Sequence, residues 1–233
     1  MVADPEPVGD GAWVLRGALP RHGINVFFVR EGAGVASFDA GSREEAREVL
    51  RLAASFGGLQ RIILSHSHFD HRGGARLLGA PVYCHADERA DVLGDGGRRY
   101  WSHHGGASAR TFYKGRLMAL LRDAGPVPVT GLLEEGDVVG SFVVMHAPGH
   151  APGQIALWRE SDRTLLASDC FYTVDAGTAA LPHSVFGQDD DLARESLRRL
   201  AQLEPAVAWP AHGPALVGDV RRALERALAD ATG

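Results

Sequence analysis

The sequence predicts an α/β protein in which β-sheets are covered by helices. Two observations predict this class: short apolar runs of strand length end in turn residues, and between them lie segments whose apolar residues recur at helical spacing. A third observation concerns size, since 233 residues with 45% hydrophobic residues can bury an extensive core. We therefore expect residues 1–233 to form a single domain.

Nine apolar runs are predicted to be strands. They are rich in Val, Ile, Leu, Phe and Trp, and several of them are followed by Pro, Asp or Ser, which favour turns. In chain order the runs are residues 13–19, 24–29, 35–38, 61–64, 81–84, 142–145, 155–158, 164–167 and 206–209.

Five segments between the strands have the periodicity of helices. They are residues 43–56, 74–78, 86–93, 192–203 and 219–229. Three consecutive carboxylates at 189–191 precede the fourth segment, as expected of an N-terminal helix cap, and they lead into leucines at helical spacing. We interpret that leucine stripe as core contact.

Residues 94–128 are predicted to be a partly helical insertion. The segment from Arg110 to Arg122 has helical spacing. One face of that helix is apolar and carries Tyr113, Leu117, Leu120 and Leu121. The insertion is predicted to be a lid over a pocket or a subunit contact, which leaves a homodimer open. An insertion that only packs on the main domain is an equal alternative.

Composition narrows the classes of partner and compartment. The formal net charge is −5, so the chain lacks the basic field that holds nucleic acid, and we expect a small-molecule substrate instead. No run of 18 uncharged apolar residues and no secretory leader is present, so no membrane association is expected. Two cysteines, Cys84 and Cys170, are too few for a disulfide-stapled fold. These features predict a cytoplasmic protein.

The most informative segment is residues 66–71, which places four potential metal ligands within six positions after an apolar run. In extended backbone, His66 and His68 project to the same side and can hold one ion. As the chain turns, Asp70 and His71 are redirected and can serve a second ion.

Three more potential ligands follow other apolar runs. His150 follows the run that ends at residue 145, Asp169 ends the run at 164–167, and His212 follows the run at 206–209. If these strand ends converge, two divalent ions are expected. His66, His68 and His150 would bind metal 1, Asp70, His71 and His212 would bind metal 2, and Asp169 would bridge them.

At these motifs the chain resembles the metallo-β-lactamase superfamily. The matching stretches are residues 66–74, Ala147 to Gly153, Ser168-Asp169 and residues 210–214, and Asp39-Ala40-Gly41 is similar to the end of an early strand of that family. The resemblance implies an αβ/βα four-layer sandwich of two mixed β-sheets flanked by helices, with a dinuclear site along one edge.

A two-metal site predicts hydrolytic chemistry. Two ions roughly 3.5 to 4 Å apart would hold a bridging hydroxide as the nucleophile and would polarise the substrate carbonyl. Asp70 is predicted to orient that nucleophile and then to pass a proton to the leaving group. Zinc is the default metal, and iron or manganese also suits such ligands.

The substrate is expected to be a small ester, lactone or thioester. Tyr172, three residues after Asp169, is similar in placement to a substrate-binding tyrosine of N-acyl homoserine lactonases, and is predicted to be catalytic as well. A glutathione thioester is disfavoured, since only about twenty residues follow His212, too few for the helical domain of glyoxalase II. Further substrate-binding candidates are His22, Trp101, Phe112, Tyr113 and His183.

Two alternatives within the same fold remain open. Persulfide dioxygenases of this fold hold a single iron, so a mononuclear-iron oxidoreductase acting on thiols or persulfides is the first. A promiscuous β-lactamase-like amidase is the second. The full set of seven ligands favours hydrolysis over the iron-dependent oxidation.

Overall fold

The computed structural model of the protein describes residues 4–17, 23–101 and 109–230. Within these ranges the chain forms β-strands in two large sheets and a hairpin. The strands are β1 Glu6–Gly9, β2 Ala12–Leu15, β3 Val26–Glu31, β4 Gly34–Phe38, β5 Leu59–Ile63, β6 Val82–His85, β7 Gly131–Leu133, β8 Val138–Val139, β9 Phe142–His146, β10 Ile155–Arg159, β11 Thr164–Ser168, β12 Tyr172–Asp175, β13 Thr178–Ala180, β14 Val207–Pro210 and β15 Leu216–Val217.

Helices connect and cover these strands. They are α1 Ala46–Ser55, α2 Phe69–Arg72, α3 Ala75–Leu78, α4 Arg89–Val92, α5 Ala109–Arg122, α6 Asp190–Ala201 and α7 Val220–Asp230, with short 3₁₀ turns at Ala86–Glu88 and Ser184–Phe186. Asp189 caps α6 as predicted, because its carboxylate accepts hydrogen bonds from the amides of Asp191 and Leu192.

Both sheets are mixed. The first runs β1-β2-β3-β4-β5-β6-β7, with antiparallel pairs at its beginning and parallel pairs from β4 to β7. The second runs β15-β14-β11-β10-β9-β8, in which only β11 and β14 pair in parallel. The carboxyl ends of β4 to β7 therefore share one edge of the first sheet, and those of β9, β11 and β14 share one edge of the second.

The two sheets pack face to face around a shared apolar core. Because successive strand residues point to opposite faces, Phe27 on β3 enters this core while Phe28 faces outward. Phe38, Phe142 and Trp209 fill the same interior layer from other strands. Each outer face is covered in turn, the first sheet by α1 and α3, and the second by α6 and α7. The predicted architecture of two mixed sheets flanked by helices is confirmed.

The edges of the two sheets that carry these carboxyl ends lie against each other. The amide of Ile155, at the start of β10, donates to the carbonyl of Ser65, which follows β5. The hydroxyl of Ser168 at the end of β11 donates to that of Ser65 over 2.7 Å. Loops from both sheets therefore meet at one rim.

The nine predicted strands all overlap strands of the structure, and the helical segments overlap helices or helical turns. The strands that the sequence did not indicate are two to four residues long, at sheet edges or in the hairpin. Runs this short have too few residues to show an alternating pattern.

Residues 94–128 include α5, as the spacing predicted, although 102–108 lie outside the described residues. Among the described helices, none has the length and apolarity needed to cross a bilayer. The single domain, the homodimer and the absence of nucleic-acid and membrane partners stay predictions.

Candidate metal centre

Seven side chains converge at the rim where the two sheets meet. Each follows the carboxyl end of a strand, β5, β9, β11 or β14, so the strand directions bring them together. The residues are the seven that the sequence indicated as ligands: His66, His68, Asp70, His71, His150, Asp169 and His212. We call this set the cage.

Three imidazoles form the first group of the cage. One ring nitrogen from each of His66, His68 and His150 lies within 4.8 Å of the others. The Nδ1 atom of His68 is 3.0 Å from the Nε2 atom of His150. Two nitrogens this close, contributed by loops of different sheets, can bind a common ion.

Asp70, His71 and His212 form the second group, again with ligand atoms within 4.8 Å of one another. The Nε2 atom of His212 lies 3.4 Å from Oδ2 of Asp70, and the Nε2 atom of His71 lies 4.0 Å from Oδ1. The short helix α2 makes this possible, because it turns the chain directly after His68.

Asp169 lies between the two groups. Its Oδ2 atom is 3.4 Å from Nε2 of His150, and its Oδ1 atom is 3.5 Å from Nε2 of His71 and 3.7 Å from Nε2 of His212. Its two oxygens therefore face different groups, which is the arrangement a bridging carboxylate needs.

The cage passes a test of fit for cations. Among the described residues, buried atoms without a hydrogen-bond partner include Nε2 of His66, Nε2 of His71 and Oδ1 of Asp169, all aimed into the cage. A buried polar atom without a partner costs about 1–3 kcal/mol, so three in one place are the pattern expected of atoms that bind a cation. Imidazole and carboxylate atoms of this kind bind borderline divalent ions.

The electrostatics of the two groups differ. Burial, aided by the neighbouring imidazoles, lowers the pKa of His66 and of His68 well below the ordinary value, and burial lowers that of His150. These rings are thus neutral, the form that binds metal. Burial opposes ionisation of Asp70 as well, but His71 and His212 lower its pKa to about 2.

Asp39 supports the second group from outside the cage. Its Oδ2 atom is 2.8 Å from Nδ1 of His71, so it accepts that N–H and leaves Nε2 to face the cage. It also accepts hydrogen bonds from the amide and the hydroxyl of Ser65. Asp39 has a φ of +68° and Ser168 a φ of +50°. Such left-handed backbone is strained at non-glycine residues and concentrates at functional sites.

Glu88 connects two loops of the first group. It is fully buried, and its carboxylate accepts the amide of Ser67 over 2.8 Å and the amide of Gly153 over 2.9 Å. Ser67 lies between His66 and His68, and Gly153 closes the loop that contains His150. One carboxylate therefore fixes the separation of the loops that supply all three imidazoles.

Asn25 holds the loop of His212 in a similar way. Its side-chain amide donates to the carbonyls of Pro210 and Gly213, each over 2.9 Å, and its backbone amide donates to Ala211. The loop of His150 is fixed by packing on α6, since a β-carbon at Gly149 would lie 2.1 Å from the backbone nitrogen of Ala193.

A pocket of about 680 Å³ opens above the cage. Five cage residues line its floor, and its walls come from α5, the start of β12 and the segment before α6. The wall residues are Phe69, Trp101, Arg110, Thr111, Lys114, Gly115, Met118, Phe171, Tyr172, Pro182, His183 and Phe186. This volume is typical of a small-molecule site.

Three of the six residues expected to bind substrate line this pocket: Trp101, Tyr172 and His183. Phe112 and Tyr113 do not, contrary to expectation, because α5 turns a different face toward the pocket. Tyr113 is 68% exposed on the outer face, together with the apolar residues Leu117, Leu120 and Leu121. His22 lies outside the described residues.

The supporting residues Glu88 and Asn25, and the basic residues of the wall, were not predictable from the sequence in the same way. Glu88 occurs in a predicted helix, where a carboxylate is normally solvated, so its position in the chain offered no reason to place it in the interior. Neither cysteine is a candidate nucleophile, since burial raises the pKa of Cys84 and of Cys170 to about 12.

A further cluster of potential ligands, His85, Asp87 and His146, lies outside the cage. The two imidazole rings are stacked, with centroids 3.9 Å apart and planes inclined by 14°. The lone pairs of stacked rings run parallel to each other and do not converge on one point. This cluster is therefore not arranged to share an ion.

A family model and a known protein each match most of this chain. The model of the metallo-beta-lactamase superfamily matches residues 19–212. A probable metallo-hydrolase of Bacillus subtilis, YflN, is 31% identical over 224 residues, which cover 83% of this chain and 82% of that protein.

Two relatives with named activities match over shorter stretches. An N-acyl homoserine lactonase of a Bacillus species is 28% identical over 148 residues, covering 61% of this chain and 50% of that protein. A hydroxyacylglutathione hydrolase of Bdellovibrio bacteriovorus is 26% identical over 152 residues, covering 63% of this chain and 46% of that protein.

Solved structures share the fold. The metallo-beta-lactamase family protein TTHA1429 from Thermus thermophilus superposes with a TM-score of 0.70 at 25% identity, covering 97% of this chain and 81% of that one. The protein TTHA1623, solved in a di-iron-bound form, gives 0.66 at 26% identity, covering 92% of this chain and 98% of that one.

Proposed function

Because the chain belongs to the metallo-β-lactamase superfamily, we propose that it is a metal-dependent hydrolase of a small-molecule ester, lactone or thioester. The observation that carries this proposal is the position of Asp169, with one oxygen toward each group of the cage. Two ligand groups that share a carboxylate suit a pair of ions, and such pairs catalyse hydrolysis.

The proposed ligands are those of the two groups. His66, His68 and His150 would hold one ion and Asp70, His71 and His212 the other, with Asp169 between them. Zinc is the proposed metal, because three neutral imidazoles suit it well. Iron is the alternative, supported by the di-iron form of TTHA1623.

When bound, two divalent ions lower the pKa of a shared water toward neutrality and polarise the substrate carbonyl. The residues of the chain would do the rest. Asp70 would orient the attacking water and pass its proton to the leaving oxygen or sulfur as the acyl bond breaks. The hydroxyl of Tyr172, in the pocket wall, would donate a hydrogen bond to the substrate.

The bond class is supported by two relatives and by the pocket. One relative is named a lactonase and the other a hydroxyacylglutathione hydrolase. A lactone is a cyclic ester and an acylated thiol is a thioester, so both names refer to cleavage of an activated acyl bond. Five aromatic side chains line the walls and suit an apolar acyl group: Phe69, Trp101, Phe171, Tyr172 and Phe186.

The proposal is tested by assaying zinc-loaded protein against a panel of aryl esters, lactones and thioesters. Wild type should hydrolyse at least one class, and Asp70→Asn should lower kcat by about 100-fold or more, because general acid–base catalysis contributes about 10² to 10⁴. Asp191→Asn is the matched control, since that carboxylate is 98% exposed on α6, and it should keep wild-type activity.

Equal turnover by wild type and Asp70→Asn would contradict the proposed mechanism. The alternative oxidoreductase makes a different prediction: one iron per chain in metal analysis and thiol-dependent uptake of oxygen. A promiscuous amidase would show turnover of β-lactams that matches or exceeds that of every ester. The proposed role as an ester, lactone or thioester hydrolase requires neither result.

A further inference from the structure

We propose that the substrate carries a carboxylate remote from the bond that is cleaved, and that Arg110 and Lys114 of α5 bind it at the mouth of the pocket. This inference rests on the proposed function, since it names the substrate class of the same pocket. Both residues line the pocket, yet both are exposed, which places them at its opening rather than at its floor.

The packing of α5 fixes the direction of these two side chains. A β-carbon at Gly115 would lie 2.5 Å from the ring of Phe186 and 3.6 Å from that of Trp101, so α5 contacts both rings through its backbone. Positions four residues apart share a helix face, so Arg110 and Lys114 lie on one side of α5. Helical side chains lean toward the N-terminus, and both therefore extend beyond the contact of Gly115 with Phe186.

Charge in the pocket is separated between the two ends. Among the described residues of the wall and floor, carboxylates occur only at Asp70 and Asp169, within the cage. The only Arg or Lys side chains there are Arg110 and Lys114 at the mouth. Lys114 is also the only lysine in a chain that otherwise uses arginine. A guanidinium and an ammonium one helical turn apart suit a carboxylate.

Between the two ends the wall is apolar. Trp101 lies against His68 of the cage, Phe186 contacts both Trp101 and Gly115 of α5, and Met118 and Phe171 also line the pocket. A matching substrate has an acyl group at the cage, an apolar chain beside these residues and an anionic end at α5. The cationic mouth would also raise the rate at which such anions arrive, despite the net charge of −5.

The first experiment compares two esters that differ only at the far end of the acyl chain. Para-nitrophenyl hydrogen adipate has a terminal carboxylate, and para-nitrophenyl hexanoate has a methyl group instead. Wild type should prefer the adipate ester in kcat/KM by about 10-fold or more, the range expected for a charge-assisted hydrogen bond. The preference should decrease as salt is added.

Three variants separate the subsite from the general charge of the helix. Arg110→Gln and Lys114→Gln should each reduce the preference for the adipate ester in kcat/KM, and the double variant should abolish it. Arg116→Gln is the matched control. It removes the same charge from α5, but Arg116 lies over the ring of Phe112 and outside the pocket.

A binding measurement keeps the two proposals distinguishable. Calorimetry compares adipate with hexanoate, and wild type should bind adipate about 10-fold more tightly, whereas the double variant should not. Bound adipate should also slow the acetylation of Lys114. Peptide mass spectrometry measures this reaction at one position, because the sequence has no other lysine.

The results of these experiments distinguish failure of the proposed function from failure of the subsite. If no ester is hydrolysed but adipate binding depends on Arg110 and Lys114, the proposed function fails and the subsite stands. If both esters are hydrolysed equally, or if Arg116→Gln has the same effect as the double variant, the subsite is refuted and the hydrolase remains.

Discussion

Glu88 illustrates how one residue can control a site that it does not enter. The distance between the loops of His66 and His150 depends on the two amides that this buried carboxylate accepts. Burial raises the pKa of Glu88, while the amides of Gly153 and Ser67 oppose that change by stabilising the charged form. Glu88 is therefore placed to position the first group of the cage, and it does not line the pocket.

We predict that Glu88→Ala weakens zinc binding to one of the two positions by about 10- to 100-fold, the range seen when outer-shell partners of metal ligands are removed. Glu88→Gln should fall between wild type and Glu88→Ala, because its single amide oxygen can accept only one of the two N–H groups well. Chelator competition and the visible spectrum of the cobalt-loaded protein measure the effect.

Glu225→Gln is the control for Glu88, since Glu225 is an exposed residue of α7 that pairs with Arg221. It should bind both ions as wild type does. Simultaneous and equal weakening of both positions in Glu88→Ala would argue for general loosening of the fold and against the positioning role.

The seven residues of the cage were predictable at the residue scale, because each is a His or Asp that follows an apolar run. The residues that support the cage from outside were not predictable in the same way. Asp39 acts through a left-handed backbone conformation and a contact with His71, 32 positions later in the chain. Nothing in the local sequence distinguishes such a carboxylate from a turn residue.

At the scale of elements, the conformation of the loop that contains His150 depends on its close packing against α6. Gly149 has a φ of +132°, and its carbonyl accepts the amides of Gln188 and Asp189 just before the helix. The loop and the N-terminus of α6 are thus interlocked, with no room for a side chain between them.

We predict that Gly149→Ala lowers the free energy of unfolding by about 2–4 kcal/mol, combining backbone strain with overpacking. Gly58→Ala is the control, because Gly58 has a φ of +105° but open space around it, and it should cost about 1 kcal/mol. Urea denaturation measures both. Equal losses in the two variants would mean that the contact with Ala193 is unimportant.

The spacing of apolar residues in α5 predicted a helix but not its orientation relative to the pocket. The apolar stripe at 113, 117, 120 and 121 faces outward, and the pocket receives the more polar side that carries Arg110 and Lys114. The spacing of apolar residues shows which residues share a face of a helix. It does not show which face packs against the rest of the protein.

At the scale of the whole molecule, the arrangement of sheets was predictable from the sequence only through the family resemblance. The residues alone indicated sheets covered by helices, whereas the face-to-face packing of two mixed sheets depends on pairings such as β11 with β14, which are about 40 residues apart. The convergence of the strand ends follows from that packing.

We predict that each ion removed from the cage lowers the melting temperature by about 5–10 °C. An ion at 100 times its Kd stabilises the native state by about 2.7 kcal/mol, and each kcal/mol shifts the melting temperature of a chain of this size by about 2–4 °C. Calorimetry with and without a chelator measures the change. Re-addition of zinc should restore it, and a chelator without effect on the melting temperature would contradict metal binding in the cage.

The division of ligands between the two sheets has a consequence for biogenesis. His66, His68, Asp70 and His71 come from the first half of the chain, and His150, Asp169 and His212 from the second. In the proposed assignment each ion takes ligands from both halves, so a truncated or still-growing polypeptide would have neither group complete. Uptake of the proposed ions would then follow the synthesis and packing of both halves.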